Sequence, residues 1–399
     1  MDTVSFPGMT LFDSYTKPTV SPLTSTPIED RPVIFLATQR INSSNLFSNG
    51  LFQNILIIYD MLEILGFSCC LIVDEKPAAS DMTPDLNRYR CVISEEIVRN
   101  PVAACIMYIE IGMSAFPPLR KYLKNMGAVK IVKLYLGNIM NIDIETTQMT
   151  AGLFFPHHVV GNLDQIWTSP HYGQNREYAS VLNNVAIENS NIAPYLWDPC
   201  FVTDYGKCGF QWKKPDDWRQ MDIVIVEPNI SFQKSYLFPL LLANDFAKGH
   251  PEWVGKIVLM NCEYIKQNVH VVHSVLPMLE IYKSNRIVMS GRQTIKEIVV
   301  QNPSALFIGH QFNNDFNYMT LELMYMGFPL LHCSSAWSDF GYFWSVAEWG
   351  GALQTLERAM KKHYDSYCEY ISQSRQLAWH HSIHNPNNQK AWLNLIEDS

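Results

Sequence analysis

Charge is scarce in this sequence. Asp, Glu, Lys and Arg make up only 17% of its 399 residues, and the balance is acidic, −8 at pH 7. No dense basic tract interrupts it, which argues on electrostatic grounds against nucleic acid or an anionic membrane as partner. The nine cysteines include no Cys-x-x-Cys pair, so that spacing writes neither a zinc site nor a dithiol redox centre. Their odd number and apolar surroundings fit reduced, buried thiols of a cytosolic protein. No apolar run spans a bilayer; residues 54–67 come nearest and are interrupted by Asp60 and Glu63. Residues 1–30 lack the basic start and apolar core of a signal peptide. They are rich in Ser, Thr and Pro, and read as a flexible leader. The expectation is a soluble, cytoplasmic protein with no transmembrane segment.

What the sequence does contain is alternation. The length allows two domains. Residues 33–38 (VIFLAT) are continuously apolar, as a strand buried on both faces must be. Residues 51–65 follow with Phe52, Ile55, Leu56, Tyr59, Leu62 and Leu65 at helical spacing, Gly66 stops them, and residues 69–73 extend again. That β-α-β unit opens a doubly wound domain. It carries no Gly-x-Gly-x-x-Gly after its first strand, so the usual dinucleotide fingerprint is missing. Further strands are predicted at residues 91–94, 104–109, 129–135 and 165–168. Residues 204–222 mix Gly, Lys, Pro, Asp and Trp without period, as a linker does. Strands then recur at 223–226, 256–260, 286–290 and 305–308, with helices at 236–247, 353–370 and 389–396. The fold class is α/β. A leader (1–30), a first domain (31–203), a linker (204–221) and a second domain (222–375) are expected. Residues 376–399 are expected to cross back to the first domain.

Residues 304–333 carry the most chemistry. Residues 305–308 read as a strand. The run from Gly309 to Asp315 holds His310, Gln311, Asn313 and Asn314, too polar for a sheet. From Asn317 the period becomes helical, through Met319, Leu323, Met324 and Met326. Gly327 suits the position after a helix, and Pro329 forbids more of it. The polar loop lies at the carboxyl end of a parallel strand, where open α/β sheets bind ligands. The helix behind it presents free backbone N–H groups to an anion such as a pyrophosphate.

The run Glu322-Leu-Met-Tyr-Met-Gly-Phe-Pro resembles the Glu-Ala-Met-Ala-x-Gly-x-Pro segment of GT-B glycosyltransferases. Three further stretches resemble a little-characterised bacterial group of GT-B-like proteins: Trp167-x-x-Pro-His-Tyr, Tyr195-Leu-Trp-Asp-Pro, and Glu227-Pro-Asn. The resemblance implies two Rossmann-like doubly wound domains facing across a cleft. It implies transfer of a sugar from a nucleotide diphosphate-sugar to an acceptor hydroxyl of a glycan. The nucleotide-sugar is then a co-substrate, with no permanently bound cofactor and no metal. On this resemblance Glu322 holds the nucleotide ribose and Lys234 faces the donor diphosphate. The family's arginine falls near Asn229, so one charge is either missing or supplied from elsewhere, by Arg292. His310, Asn313, Asn314 and Asn317 face the sugar or the phosphates. Asn314 stands where many retaining members carry a second glutamate, so retaining and inverting chemistry both stay open. Asn49 and Gly50 occupy the place of a glycine-containing loop beside the acceptor, or form a plain strand-to-helix turn. Asn138, His157 and His171 complete the acceptor side.

Two catalytic candidates follow. Glu110, after the strand at 104–109, serves as general base on a sugar hydroxyl if desolvation raises its pKa, or else caps a helix. His310 is the second. Gly137-Asn138 and the following Asp143-Ile-Glu145 read as a loop, and the latter is too loose for a metal motif. His157 and His158 point to opposite sides of an extended segment, a poor metal pair. His380, His381 and His384 read as a surface cluster, since no carboxylate stands beside them. Two other readings remain: a nucleotide-sugar 2-epimerase-like enzyme, and a non-catalytic nucleotide- or sugar-binding protein.

Overall fold

The continuous apolar runs become the centres of two parallel sheets in the computed structural model. It describes residues 31–47, 50–83, 86–99, 105–111, 117–127, 129–149, 158–203, 211–229 and 231–397. The leader lies outside them, as do Asn49, His157 and the first part of the expected linker. By compactness the chain divides into two units, Pro199–His380 and the remainder, in which His381–Ser399 joins the residues before Pro199.

The first unit holds seven strands: β1 Val33–Ala37, β2 Ser68–Val73, β3 Cys91–Ile93, β4 Cys105–Ile111, β5 Lys130–Tyr135, β6 Gln165–Thr168 and β7 Ser190–Ile192. Their order is β3-β2-β1-β4-β5-β6-β7, and every pairing is parallel. All five residues of β1 are buried, as their unbroken apolar character requires. The helix Gly50–Ile64 covers the sheet, with Ile55, Leu56, Ile57 and Met61 at 1% exposure or less. The helix Pro386–Glu397 also packs on this unit. Trp392 meets Trp167 edge to face at 6.0 Å, and His381 O accepts from Trp197 N at 3.0 Å.

The second unit repeats the plan with β8 Ile223–Ile225, β9 Ile257–Leu259, β10 Ile287–Met289, β11 Leu306–Ile308, β12 Leu330–His332 and β13 Tyr342–Phe343. The order is β10-β9-β8-β11-β12-β13, again wholly parallel. In each sheet the chain works outward from its first strand and then jumps to that strand's other side. The jump leaves a crevice at the carboxyl ends of two neighbouring strands, β1 and β4 in one unit and β8 and β11 in the other.

Gly327 ends the helix Tyr318–Tyr325 as the sequence predicts. Its φ is +79°, a region that costs a side chain dearly. Gly327 N donates to Met324 O and Phe328 N to Leu323 O, both at 3.0 Å, which satisfies two carbonyls the helix leaves over. A Cβ here would also stand 2.6 Å from the Tyr367 hydroxyl.

Two expectations are corrected. Asp143 and Glu145 are not in a loop but in the helix Ile139–Met149. Gly137-Asn138 is only its entry, where Asn138 Oδ1 accepts from Asn141 N at 3.1 Å. The single helix expected over 353–370 is two, Trp349–Lys362 and Tyr367–His381. The chain turns between them because His363 is drawn inward, its two ring nitrogens meeting Tyr342 Oη and Gly327 O, each at 3.0 Å. Trp212, within the expected linker, is buried, and its backbone N donates to Met326 O at 3.1 Å. No helix among the described residues is long and apolar enough to cross a membrane.

Candidate functional site

The crevice between β8 and β11 brings together residues that are far apart in sequence. Glu227 follows β8 and is fully buried. Its Oε1 accepts from His310 N at 2.7 Å. Gln311 Nε2 donates to both carboxylate oxygens, at 3.0 and 2.9 Å. Burial pushes the carboxyl up to about 7, against the pull of the His310 N–H, the Lys234 ammonium and the Gln311 amide. Burial likewise pulls the Lys234 ammonium below its ordinary range, with Glu227 opposing. Gln311 Oε1 in turn accepts from Asn314 Nδ2 at 3.2 Å. Glu227, Gln311 and Asn314 therefore form one hydrogen-bond chain, every member buried.

His310 is 2% exposed. Its Nδ1 accepts from Ser235 N at 3.4 Å, which places the ring proton on Nε2. Phe238 stacks on the ring at 5.4 Å, the planes 16° apart. Burial pushes the imidazole down to about 4, so it is neutral at pH 7. Its Nε2 is buried without a hydrogen-bond partner, and so is the Gln233 Nε2 amide in the facing loop. The two loops are joined by Phe312 N donating to Gln233 O at 2.9 Å. A buried donor left unpaired costs about 1–3 kcal/mol, so two such donors in adjoining loops mark a place for oxygen-rich ligand atoms. The tautomer makes His310 a hydrogen-bond donor at Nε2, the role of a contact to ligand oxygens rather than of a base.

The other expected donor-side residues divide. Glu322 is buried at 5% exposure on the helix Tyr318–Tyr325, not solvated as an ordinary surface glutamate would be. Asn317 caps that helix, accepting from Met319 N at 3.0 Å. Asn229 takes φ +58° and spends its amide on the scaffold. It donates to Met260 O at 3.0 Å and accepts from Tyr236 N at 2.8 Å, so it shapes the loop leading to Lys234. Asn313 and Arg292 are exposed, and the Arg292 backbone N donates to Glu263 Oε1 at 3.2 Å.

In the first unit, Glu110 is fully buried near the end of β4. Arg120 grips it with two nitrogens: Nη2 donates to Oε2 at 2.7 Å, and Nε donates to Oε1. Arg120 Nη1 donates to Val160 O and Gly161 O, each at 3.3 Å. A carboxylate held this way locks β4 to the helix Pro117–Asn125 and is poorly placed to take a proton from a sugar hydroxyl. Gly50 opens the helix Gly50–Ile64. Asn138 and His171 are buried at the carboxyl ends of β5 and β6. Ser169 Oγ accepts from Gly137 N at 3.2 Å and is hydrogen-bonded to His171 Nδ1 at 2.6 Å. Asp143 is bonded to His158 Nδ1 and Tyr178 Oη, both at 2.7 Å. Among the described residues no group of three or more His, Cys, Asp or Glu side chains could hold a metal ion.

Glu227, Gln311 and Gln233 are absent from the sequence-derived site. Glu227 stood in the Glu227-Pro-Asn motif and Gln311 in the polar loop, but neither was given a role, since a lone Glu or Gln after a strand has no spacing that tells its partner.

The sequence-family description "Protein of unknown function (DUF2827)" matches residues 34–396. No curated protein matches the chain in sequence. Solved structures resemble it in fold. A glycosyltransferase from Rickettsia africae ESF-5 superposes with a TM-score of 0.57 at 10% identity, covering 92% of this chain and 98% of its own. The α,α-trehalose 6-phosphate synthase of Burkholderia multivorans gives 0.54 at 9% identity, with 92% and 98% covered. An E. coli trehalose-6-phosphate structure bound with UDP-2-fluoro glucose gives 0.57 at 8%, with 92% and 99% covered. The two parallel-sheet α/β units are those of the GT-B glycosyltransferase fold.

Proposed function

The chain belongs to the DUF2827 family, and on its GT-B fold and the β8–β11 crevice we propose that it is a glycosyltransferase. It moves a sugar from a nucleotide diphosphate-sugar to an acceptor hydroxyl of a glycan. The observation that carries this reading is the pair of buried, unpartnered donors, His310 Nε2 and Gln233 Nε2, one in the loop that carries Lys234 and one in the loop bonded to it. Fold neighbours bear on it at the level of fold: the E. coli structure holds UDP-2-fluoro glucose.

Each residue then has a task. Lys234 offers a compact positive charge to the diphosphate, where negative charge grows as the glycosidic bond breaks. The helix Leu237–Gly249 begins three residues later and adds its positive end to the same task. His310 and Gln233 donate to oxygens of the sugar phosphate. Glu322 accepts from the ribose hydroxyls. On the acceptor side, Asn138 and His171 are the proposed contacts, with Thr38 after β1 beside them in role. Thr38 Oγ1 is buried and has no hydrogen-bond partner.

Glu322→Gln tests the ribose contact. A hydrogen bond to a charged group contributes about 1.5–3 kcal/mol, so donor affinity is expected to fall about tenfold or more. The isosteric amide should leave folding nearly unchanged. A folded variant that binds the donor as tightly as the wild type removes Glu322 from the site.

A further inference from the structure

The Glu227–Gln311–Asn314 chain has two self-consistent polarities. With Glu227 ionised, His310 N and Gln311 Nε2 donate to it, and Asn314 Nδ2 donates to Gln311 Oε1. With Glu227 protonated, its O–H needs an acceptor. Turning the Gln311 amide over supplies Oε1, and the freed Nε2 then needs an acceptor that a turned Asn314 provides in Oδ1. Amide groups reverse in this way without any change of shape. Both states satisfy every bond, but they present opposite faces of Asn314 beyond the chain: oxygen in the first, N–H in the second.

We propose that Glu227, Gln311 and Asn314 are a proton-linked relay beneath the donor site, and that binding of a nucleotide diphosphate-sugar shifts Glu227 to its protonated state, with the proton drawn from solvent. This rests on the donor reading above. The groups facing Glu227 support it. Lys234 is the cation set against it, His310 is neutral, and Cys333, whose Sγ accepts from Gln311 N at 2.9 Å, is held as a thiol by burial. Asp315, the nearby acid, is bonded to Ser335 N at 2.7 Å and Oγ at 2.9 Å. When a diphosphate takes up the charge of Lys234, Glu227 loses its compensating cation in a fully buried position. Protonation removes the stranded charge and gives Asn314 N–H groups suited to ligand oxygens. Glu227 is a positioning residue in this scheme, since it touches His310 and Gln311 rather than the donor.

Calorimetry on the full chain tests it. The tightest-binding member of a UDP-, GDP- and dTDP-sugar panel is titrated at pH 7 in phosphate and in Tris, whose ionisation enthalpies differ. Sugar esters of nucleoside diphosphates have no group of their own that titrates near neutrality. The expected uptake is about half a proton per donor, since Glu227 is half ionised at pH 7 when its carboxyl sits at about 7. Affinity should weaken about tenfold from pH 6 to 8. Glu227→Gln mimics the protonated relay. It should bind at all these pH values as the wild type does at pH 6, with no proton uptake. A role in packing alone would instead weaken binding at every pH. Wild-type binding without proton uptake overturns the relay and leaves the donor reading standing, and this outcome needs no variant to fold. Uptake that persists in Glu227→Gln assigns the proton to another group and also overturns the relay. Failure of every panel member to bind overturns the donor reading itself.

Discussion

Arg120→Ala is expected to destabilise the protein by about 3–5 kcal/mol, the usual cost of stranding one partner of a buried ion pair. Glu110 has no exposed surface and the Arg120 side chain only 11%. Removing the guanidinium leaves a carboxylate in the sheet interior and also frees Val160 O and Gly161 O, which Arg120 Nη1 holds. Lys133 lies one strand over, in register with Glu110. Its ammonium is already pulled down to about 8 by burial, against the opposing pull of Glu110, so it compensates only in part. Urea denaturation measures the loss as a lower midpoint at similar slope. The double replacement Glu110→Gln with Arg120→Met should recover much of it, because two neutral groups of similar shape replace the ion pair and Lys133, already pulled down to about 8 by burial, can shed its proton. That double variant should also keep its transferase activity. A loss under about 1 kcal/mol in Arg120→Ala, or abolished turnover in a stable double variant, would return Glu110 to the catalytic role expected from sequence.

Lys234→Met is expected to weaken donor binding about 10- to 100-fold, since a charge-assisted bond to phosphate is worth about 1.5–3 kcal/mol and ~1.4 kcal/mol is tenfold. Methionine keeps the apolar stem of the side chain. It also leaves Glu227 without its cation, so the carboxyl should move further above 7 and be largely protonated at neutral pH. Folding should suffer little for that reason. Turnover should fall more than affinity if the ammonium meets charge that grows as the diphosphate departs. Calorimetry and steady-state rates on the same variant separate the two. Affinity within twofold of wild type would show that Lys234 does not face the phosphates.

The architecture was legible because each central strand is written as an unbroken apolar run. VIFLA and IVI are entirely buried, and their short length between turn residues marks them as strands. Boundaries set by a single residue were legible too: Gly327 and Asn317 end and begin their helix as read. The misplaced boundaries have tertiary causes. His363 breaks an otherwise continuous helical period because its ring is bound on both sides. Asp143 looked like a loop acid, yet it sits inside a helix as the partner of His158 and Tyr178.

The proposed site was less legible. Lys234, His310, Asn314 and Glu322 were nominated from the loop and the resemblance. Glu227 and Gln311 were not, since they meet only where β8 and β11 lie side by side, 84 positions apart. Glu110 was nominated as a base from its place after a strand, and its ion pair with Arg120 was not foreseen. A carboxylate after a strand looks the same in sequence whether it faces a ligand or an arginine ten residues on. Tautomer, too, is a tertiary fact: only the Ser235 N–H decides that His310 donates.

The most direct test of glycosyl transfer from a nucleotide donor is a thermal-shift panel of UDP-, GDP-, dTDP- and CMP-sugars on the full chain. A ligand at about 100 times its Kd stabilises the folded state by about 2.7 kcal/mol. The expected result is a selective rise in Tm with one nucleoside diphosphate-sugar, and a much smaller rise with the CMP-sugar, which lacks the second phosphate for Lys234. A flat response to every nucleotide-sugar at millimolar concentration would contradict it.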